Sequence, residues 1–165
     1  MCRDFDATPV ESEKLKKLVY AATRAPSGGN MLVREIIVVD DPRRMEMLRG
    51  VTPSFLANAP AAIVICTDLE KALDVMGTQG RDVLSLLDAG AAAENIALEA
   101  VELGLGASFV RSSTESAAKV VLDIPERYRL DIIVGVGYVR KGGPPPMKAQ
   151  KAQIHHNRLG EAWVG

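Results

Sequence analysis

The hydrophobic positions of this chain fall into two periods, one helical and one extended. From Arg81 to Gly106 the spacing is helical. Leu84, Leu87, Ala91, Ala92, Asn95 and Leu98 follow one face, and Val83, Leu86, Gly90, Ala93, Ala97 and Val101 cover much of the other. The pattern predicts a helix of roughly 24 residues, ~36 Å long at 1.5 Å per residue. A helix apolar nearly all round is expected to be buried on all sides. Gly90 and the alanines at 91–93 keep its middle slender, and Gly104 supplies a C′ glycine at its end. Asp82, Asp88, Glu94, Glu99 and Glu102 recur through it, which argues against a bilayer span.

The remaining hydrophobic runs are shorter. Thr8 and Pro9 announce a first helix, with Glu11 and Glu13 near its positive end and Val10, Leu15, Leu18, Val19 and Ala22 facing inward. The loop from Ala25 to Asn30, Ala-Pro-Ser-Gly-Gly-Asn, stops it. Ile36 to Val39 is a β-branched strand, and Pro42 starts a short helix carrying Met45, Met47, Leu48 and Val51. Ala61 to Cys66 is a second buried strand; Leu69 to Met76 is either a brief helix or an ordered loop. Ala107 to Val110 reads as a short strand and Thr114 to Leu122 as a helix. Leu130 to Val139 is the strongest strand, with Gly135 and Gly137 letting something come close. Helices interleaved with about four strands indicate a layered α/β or α+β architecture.

At 165 residues the chain is expected to form a single domain over 1–165. Its 47% hydrophobic and 25% charged content is that of a globular protein, and its net charge of −1 gives no general pull toward nucleic acid or anionic membrane. Only 4% of residues are aromatic, so the core must be built from aliphatic side chains and Met. Cys2 and Cys66 are too few for a disulfide framework, which suggests a reducing cytoplasm. Neither a signal-peptide pattern nor a plausible membrane span is present.

Candidate chemistry is sparse. In the Ala25–Asn30 loop, Gly28 and Gly29 offer backbone N–H groups, Ser27 a hydroxyl, and Asn30 both a donor and an acceptor. Such a set suits a flat heterocycle with polar edges, or a phosphate. A helix-terminal loop of ordinary composition explains it equally well. It matches neither dinucleotide nor P-loop spacing. His155 and His156 are adjacent and poorly placed to chelate one metal, and no metal-ligand spacing occurs elsewhere. No serine has a nucleophile-elbow setting. Asp88, inside an apolar helix, needs a partner, and an interface salt bridge is the modestly preferred reading over catalysis. Lys148 and Lys151, with Arg3, read alone as solvated surface charges.

Taken together, five segments in order resemble the nitroreductase family. Cys2-Arg-Asp-Phe5 is similar to the last part of the family's N-terminal Arg-Arg-Ser-x-Arg-x-Phe pattern, and Ala25–Asn30 to its A-P-S-x-x-N flavin loop. Asp88-Ala-Gly-Ala-Ala with Asn95 and Leu103–Gly106 resembles its central helix. Ile133 to Tyr138 is similar to the strand ending in G-Y-P, and His155-His-Asn-Arg158 to the closing H-x-N-R segment. Two departures stand out. The first Arg-Arg-Ser of the N-terminal pattern has no counterpart, and Asn-x-Gln-Pro-Trp becomes Asn30-Met-Leu-Val-Arg34, with neither Gln nor Trp.

The resemblance implies an α+β fold: a layered sandwich with a central mixed sheet of about four to five strands, flanked by helices, and a long central dimer helix. It implies a homodimer with each FMN between two subunits, NADH or NADPH as electron donor, and a small organic acceptor such as a nitroaromatic, quinone, enone or flavin. By carry-over, Arg3 meets the ribityl-phosphate end or the flavin itself, and Ser27, Gly28 and Asn30 hold the isoalloxazine edge. Val110, Arg111 and Ser112 present backbone groups near N5, and Lys148 meets the phosphate. No side-chain acid or nucleophile is required, because the flavin carries the chemistry. The alternative is a dimeric flavin- or nucleotide-binding module without turnover, and a purely structural dimer is a third reading.

Overall fold

The computed structural model describes residues 1–52, 56–111, 114–140 and 153–162. Its strands are β1 (Arg34–Val39), β2 (Ala61–Asp68), β3 (Gly106–Val110) and β4 (Tyr128–Gly137). Its helices are α1 (Ser12–Thr23), α2 (Pro42–Val51), α3 (Leu69–Gln79), α4 (Ser85–Glu102) and α5 (Glu115–Val121). The strands form one sheet in the order β1-β2-β4-β3, and each neighbouring pair is antiparallel. The layered α+β architecture is therefore present, but with an antiparallel sheet in place of the expected mixed one. The mixed sheet was implied by the family resemblance alone. β2 and β3 do run in the same direction, yet β4 lies between them and pairs with both.

The sheet carries a helical layer on each face. β2 is buried at every position, as its unbroken apolar run requires. Ala61, Ile63 and Ile65 face α1 and α4, where they meet Leu18, Ala92, Ala93 and Ile96. Ala62, Val64 and Cys66 face α2 and α5, where they meet Met45, Leu48 and Ala118.

The long helix predicted from Arg81 is the later part of a longer helical path. The undecided stretch after Asp68 is α3, capped where the Lys71 N–H donates to the Asp68 carboxylate at 3.0 Å. A π-helical turn over Gly80–Leu84 joins α3 to α4. A Cβ at Gly80 would lie 2.0 Å from the Met76 Cβ, so the wide turn depends on that glycine. At its other end α4 closes as predicted: Gly104 has φ +73°, its N–H reaches the Val101 carbonyl, and the Leu105 N–H reaches that of Ala100.

Burial on all sides does not hold within one chain. The inward face of α4 is Ser85, Asp88, Ala89, Ala92, Ala93, Ile96 and Ala100. On the outward face Leu87, Leu98 and Val101 are 65%, 61% and 72% exposed. A single chain offers this helix one sheet to cover, so only one stripe is buried.

α1 begins at Ser12, later than Thr8 and Pro9 suggested. The Thr8 hydroxyl and N–H serve the Asp6 carboxylate instead, and Glu11 accepts from the Tyr138 hydroxyl at 2.7 Å. Lys14 donates to that same hydroxyl at 2.8 Å and to the Leu103 carbonyl at 3.0 Å, supplying the end of α4 with a partner. No helix among the described residues is long and apolar enough to cross a membrane.

Close approach at the β4 glycines is realised by the chain's own side chains. A Cβ on Gly137 would lie 2.5 Å from Pro60 Cδ and 3.0 Å from Phe5 Cδ1. Gly137→Ala is therefore expected to cost about 1–3 kcal/mol through overpacking, read as a lowered urea midpoint. Ser108 gives the opposite expectation. Its hydroxyl is the one buried side-chain polar atom without a hydrogen-bond partner among the described residues. Ser108→Ala removes an unsatisfied group and should leave stability unchanged or raise it by up to about 1 kcal/mol.

Candidate functional site

The loop after α1 is shaped by two consecutive left-handed residues, Gly29 at φ +59° and Asn30 at φ +56°. Glycine and asparagine are the residues that adopt this conformation most readily. The Asn30 N–H donates to the Ser27 carbonyl at 3.0 Å and the Met31 N–H to that of Gly28 at 3.1 Å, closing a tight 3₁₀ turn. The turn is wedged against the π-helical segment: a Cβ on Gly28 would sit 3.3 Å from Leu84 Cβ and Cδ1.

Asp88, in the first turn of α4 and 7% exposed, fastens this turn. Its two carboxylate oxygens share the Gly28 N–H at 3.1 and 3.0 Å. Arg34, at the start of β1, donates from Nη1 to the Asp88 carbonyl at 2.7 Å and from Nη2 to the Ala25 carbonyl at 3.2 Å. Burial lowers the Arg34 pKa, and the Asp88 charge opposes that effect. Asp88 thus has a partner inside its own chain, the Gly28 N–H. The Gly28 N–H is consumed by it. Among the described residues the Ser27 hydroxyl and the Asn30 amide have no hydrogen-bond partner; Asn30 is exposed and Ser27 partly so.

A second buried polar group lies beneath the same end of α4. A β-bulge at Ile65/Cys66 leaves Asp131 without a ladder partner. Asp131 accepts from the Thr67 hydroxyl and from Arg129 Nε. Arg129 also donates to the Ser85 hydroxyl at 2.8 Å and to the Arg81 carbonyl at 3.0 Å. Burial raises the Asp131 pKa, while Thr67 and Arg129 pull it down. Beside it the Cys66 thiol is pushed up to about 12, by burial first and then by the Asp131 charge, so it is no nucleophile.

The other predicted site residues are dispersed. Arg3 is exposed at the opposite end of the sheet, following Cys2, whose N–H bonds the Ala107 carbonyl. Ala107 pairs with Val136, whereas Arg34 pairs with Thr67 and so stands level with Arg129. The seven steps from Arg129 to Val136 on β4 amount to roughly 23 Å at about 3.3 Å per residue. Val110 is buried, backbone included, and paired with Ile133. Arg111 is exposed, near enough to lower the Asp131 pKa. Ser112 and Lys148 lie outside the described residues. His155 and His156 are exposed, and His155 accepts from the Gly160 N–H at 3.3 Å.

Sequence reading missed Arg34, Arg129, Thr67 and Ser85. An arginine opening a β-branched run and an Arg-x-Asp at the head of the strongest strand were the available signals.

The profile of the nitroreductase family matches residues 1–138. A protein of Archaeoglobus fulgidus named for NADH dehydrogenase/NAD(P)H nitroreductase activity is 35% identical, over 82% of this chain and 78% of its own length. An NADPH-dependent oxidoreductase of Staphylococcus aureus is 30% identical, over 94% of this chain and 69% of its own length. Among solved structures, an FMN-dependent nitroreductase from Clostridium difficile R20291 superposes with a TM-score of 0.76 at 30% identity, covering 96% of this chain and 94% of that one.

The buried network generates a pH-dependent expectation. Arg129→Met strands the Asp131 carboxylate and should lower stability by about 3–5 kcal/mol near neutral pH. Because burial holds that pKa above its ordinary value, the unfolded state releases its proton first as pH rises. Removing Arg129 takes away a group that pulls this pKa down, so the destabilisation relative to wild type grows as pH rises through the raised Asp131 pKa and shrinks on acidification. Urea melts of the wild type and Arg129→Met at acid and neutral pH check the sign.

Proposed function

The chain belongs to the nitroreductase family, and from that premise we propose that it is an FMN-dependent oxidoreductase using NADH or NADPH, active as a homodimer. The observation carrying this reading is that Arg3 follows Cys2, which bonds Ala107 at one end of the sheet, while the Ser27–Asn30 turn is tied to Arg34 at the other. Those two strand levels lie roughly 23 Å apart at about 3.3 Å per residue. A separation of that order favours a cofactor shared between two protomers. Two protomers related by a twofold axis bring the turn of one to the Arg3 end of the other. The outward stripe of α4 supplies the means. Val83, Leu87, Leu98 and Val101 lie along one line of the helix, with Glu94 the charge among them and Gly90 leaving space at its centre. An exposed apolar stripe of this kind, interrupted by Glu94, favours an interface.

The residues present fit the cofactor. Ser27 and Asn30 offer donors and an acceptor to a heterocycle with polar edges, on a turn whose shape is already held by Asp88. Arg3 supplies a cation for the ribityl-phosphate end, and the family resemblance assigns the backbone at Val110 and Arg111 to the ring, of which Arg111 is exposed in the single chain. Ser112 and Lys148 extend that set by family resemblance. When bound, FMN supplies a centre at N5 that accepts hydride from NADH or NADPH and returns reducing equivalents to an acceptor.

The chain's own task is to bind, orient and exclude water. No described residue need act as an acid or nucleophile, and the silent Cys66 thiol accords with this. No described residue selects among a nitroaromatic, quinone, enone or flavin acceptor. Two free cysteines support a cytoplasmic location.

Purified protein titrated with FMN should show a bound-flavin spectrum that bleaches under anaerobic NADPH or NADH. Absence of binding at micromolar FMN would sink the reading, and a spectrum that binds but stays yellow would point to a binding module without turnover. Leu87→Asp combined with Leu98→Asp should convert a dimer into monomers in sedimentation and weaken FMN binding at least tenfold. Monomers that bind FMN as well as the wild type would exclude a shared site.

A further inference from the structure

We infer that Asp88 and Arg34 are positioning residues that hold the Ser27–Asn30 turn in its binding shape before any cofactor arrives. The inference rests on the reading that this turn contacts FMN, and it assigns a role to two residues that contact no ligand themselves.

A turn with two left-handed residues on a glycine-containing loop has many competing conformations when free. Any ligand that used Ser27 and Asn30 would then have to order it on binding, at a loss of affinity. Here that ordering is already in place. Asp88 sits on the buried face of α4, where a carboxylate is unfavourable unless partnered, and both its oxygens accept the Gly28 N–H. Gly28 is thereby fixed one residue from Ser27 and two from Asn30. From the other side Arg34 spans two carbonyls, one on α4 and one at Ala25, where the loop leaves α1. A guanidinium has the planar fork for two separate acceptors, and a lysine ammonium does not. The end of α1, the turn, the start of β1 and the first turn of α4 are tied at one point.

Arg34 stands where the family pattern carries Trp, so this half of the fastening belongs to this chain's own departure from the pattern. The outward-facing groups of the turn remain free of these contacts, as a preformed receptor requires.

The test compares apo wild type with Asp88→Ala, Asp88→Asn and Arg34→Met by hydrogen–deuterium exchange, FMN titration and thermal midpoint. In Asp88→Ala, exchange across residues 26–33 should accelerate about tenfold, the loss of one hydrogen bond, while residues 89–102 keep wild-type protection. FMN dissociation constants should rise about tenfold in Asp88→Ala and Arg34→Met. Asp88→Asn retains an acceptor oxygen and should recover most of both effects. Unchanged exchange in Asp88→Ala would overturn the inference. So would acceleration spread equally through α4, the mark of a merely structural residue, or faster loop exchange with unaltered FMN affinity. Wild-type protein that binds no FMN, yet shows the loop-confined acceleration in Asp88→Ala, would overturn the functional reading and leave the fastening itself standing.

Discussion

The packing of α4 onto the sheet is the contact on which the other elements depend. Ala89, Ala92, Ala93 and Ala100 present almost no side chain to Ile63, Ile65, Val134 and Val136, so the helix axis can lie close to the strands. Small side chains bury little apolar area each, and such a contact gains its stability from many close atom pairs. The position of α4 then dictates its neighbours. α1 lies alongside it, tied by the Asn95 amide to the Ala21 carbonyl at 3.1 Å and by Lys14 to the Leu103 carbonyl at 3.0 Å. The loop after α1 is brought to Asp88 in consequence. A helix this slender on its inner face carries its Leu and Val side chains outward, leaving an apolar stripe that a single protomer does not cover.

Polar groups are confined to the two ends of this apolar middle. At one end Asp88, Arg34, Ser85, Arg129, Asp131 and Thr67 are bonded among themselves and to backbone. At the other, Glu11, Lys14 and Tyr138 form a partly exposed set, with Arg3 nearby in the chain's opening segment. Neither end holds an acid paired with a nucleophile. Buried polar networks of the first kind are favourable only when fully satisfied, and every member here has a partner. They give the loop and the helix start a single arrangement, which is what a cofactor enzyme asks of its protein part.

The elements were legible in the sequence wherever period and end signals agreed. β2 and β4 were readable from unbroken β-branched runs, and the end of α4 from Gly104. The pairing sense of the sheet was not, because strand direction depends on which strand inserts between which, and no local pattern records that β4 separates β2 from β3. Burial of α4 was overestimated for a related reason. Periodicity identifies apolar faces but does not say how many of them the same chain can cover. At the candidate site, the residue types at Ser27, Gly28 and Asn30 were visible as a loop, but the Gly28 N–H was assigned to a ligand that it does not face. Contacts between residues 60 positions apart, as Gly28 and Asp88 are, leave no spacing to read.

The departures from the family pattern take on a different meaning once the loop is seen in place. Losing the Gln and Trp after Asn30 reads, from sequence, as a loss of flavin contacts. In the fold the Trp position is Arg34, and its guanidinium has partners at Asp88 and Ala25 that an indole could not serve in the same way, since an indole offers one donor against the two that Arg34 uses. With the Gly28 N–H turned inward, what this loop has left to offer a ligand is the side chains of Ser27 and Asn30. A rigid turn with fewer contacts can match a looser one with more, because ordering that is complete before binding is not charged against affinity. Counting lost contacts alone therefore overstates the weakness of the site.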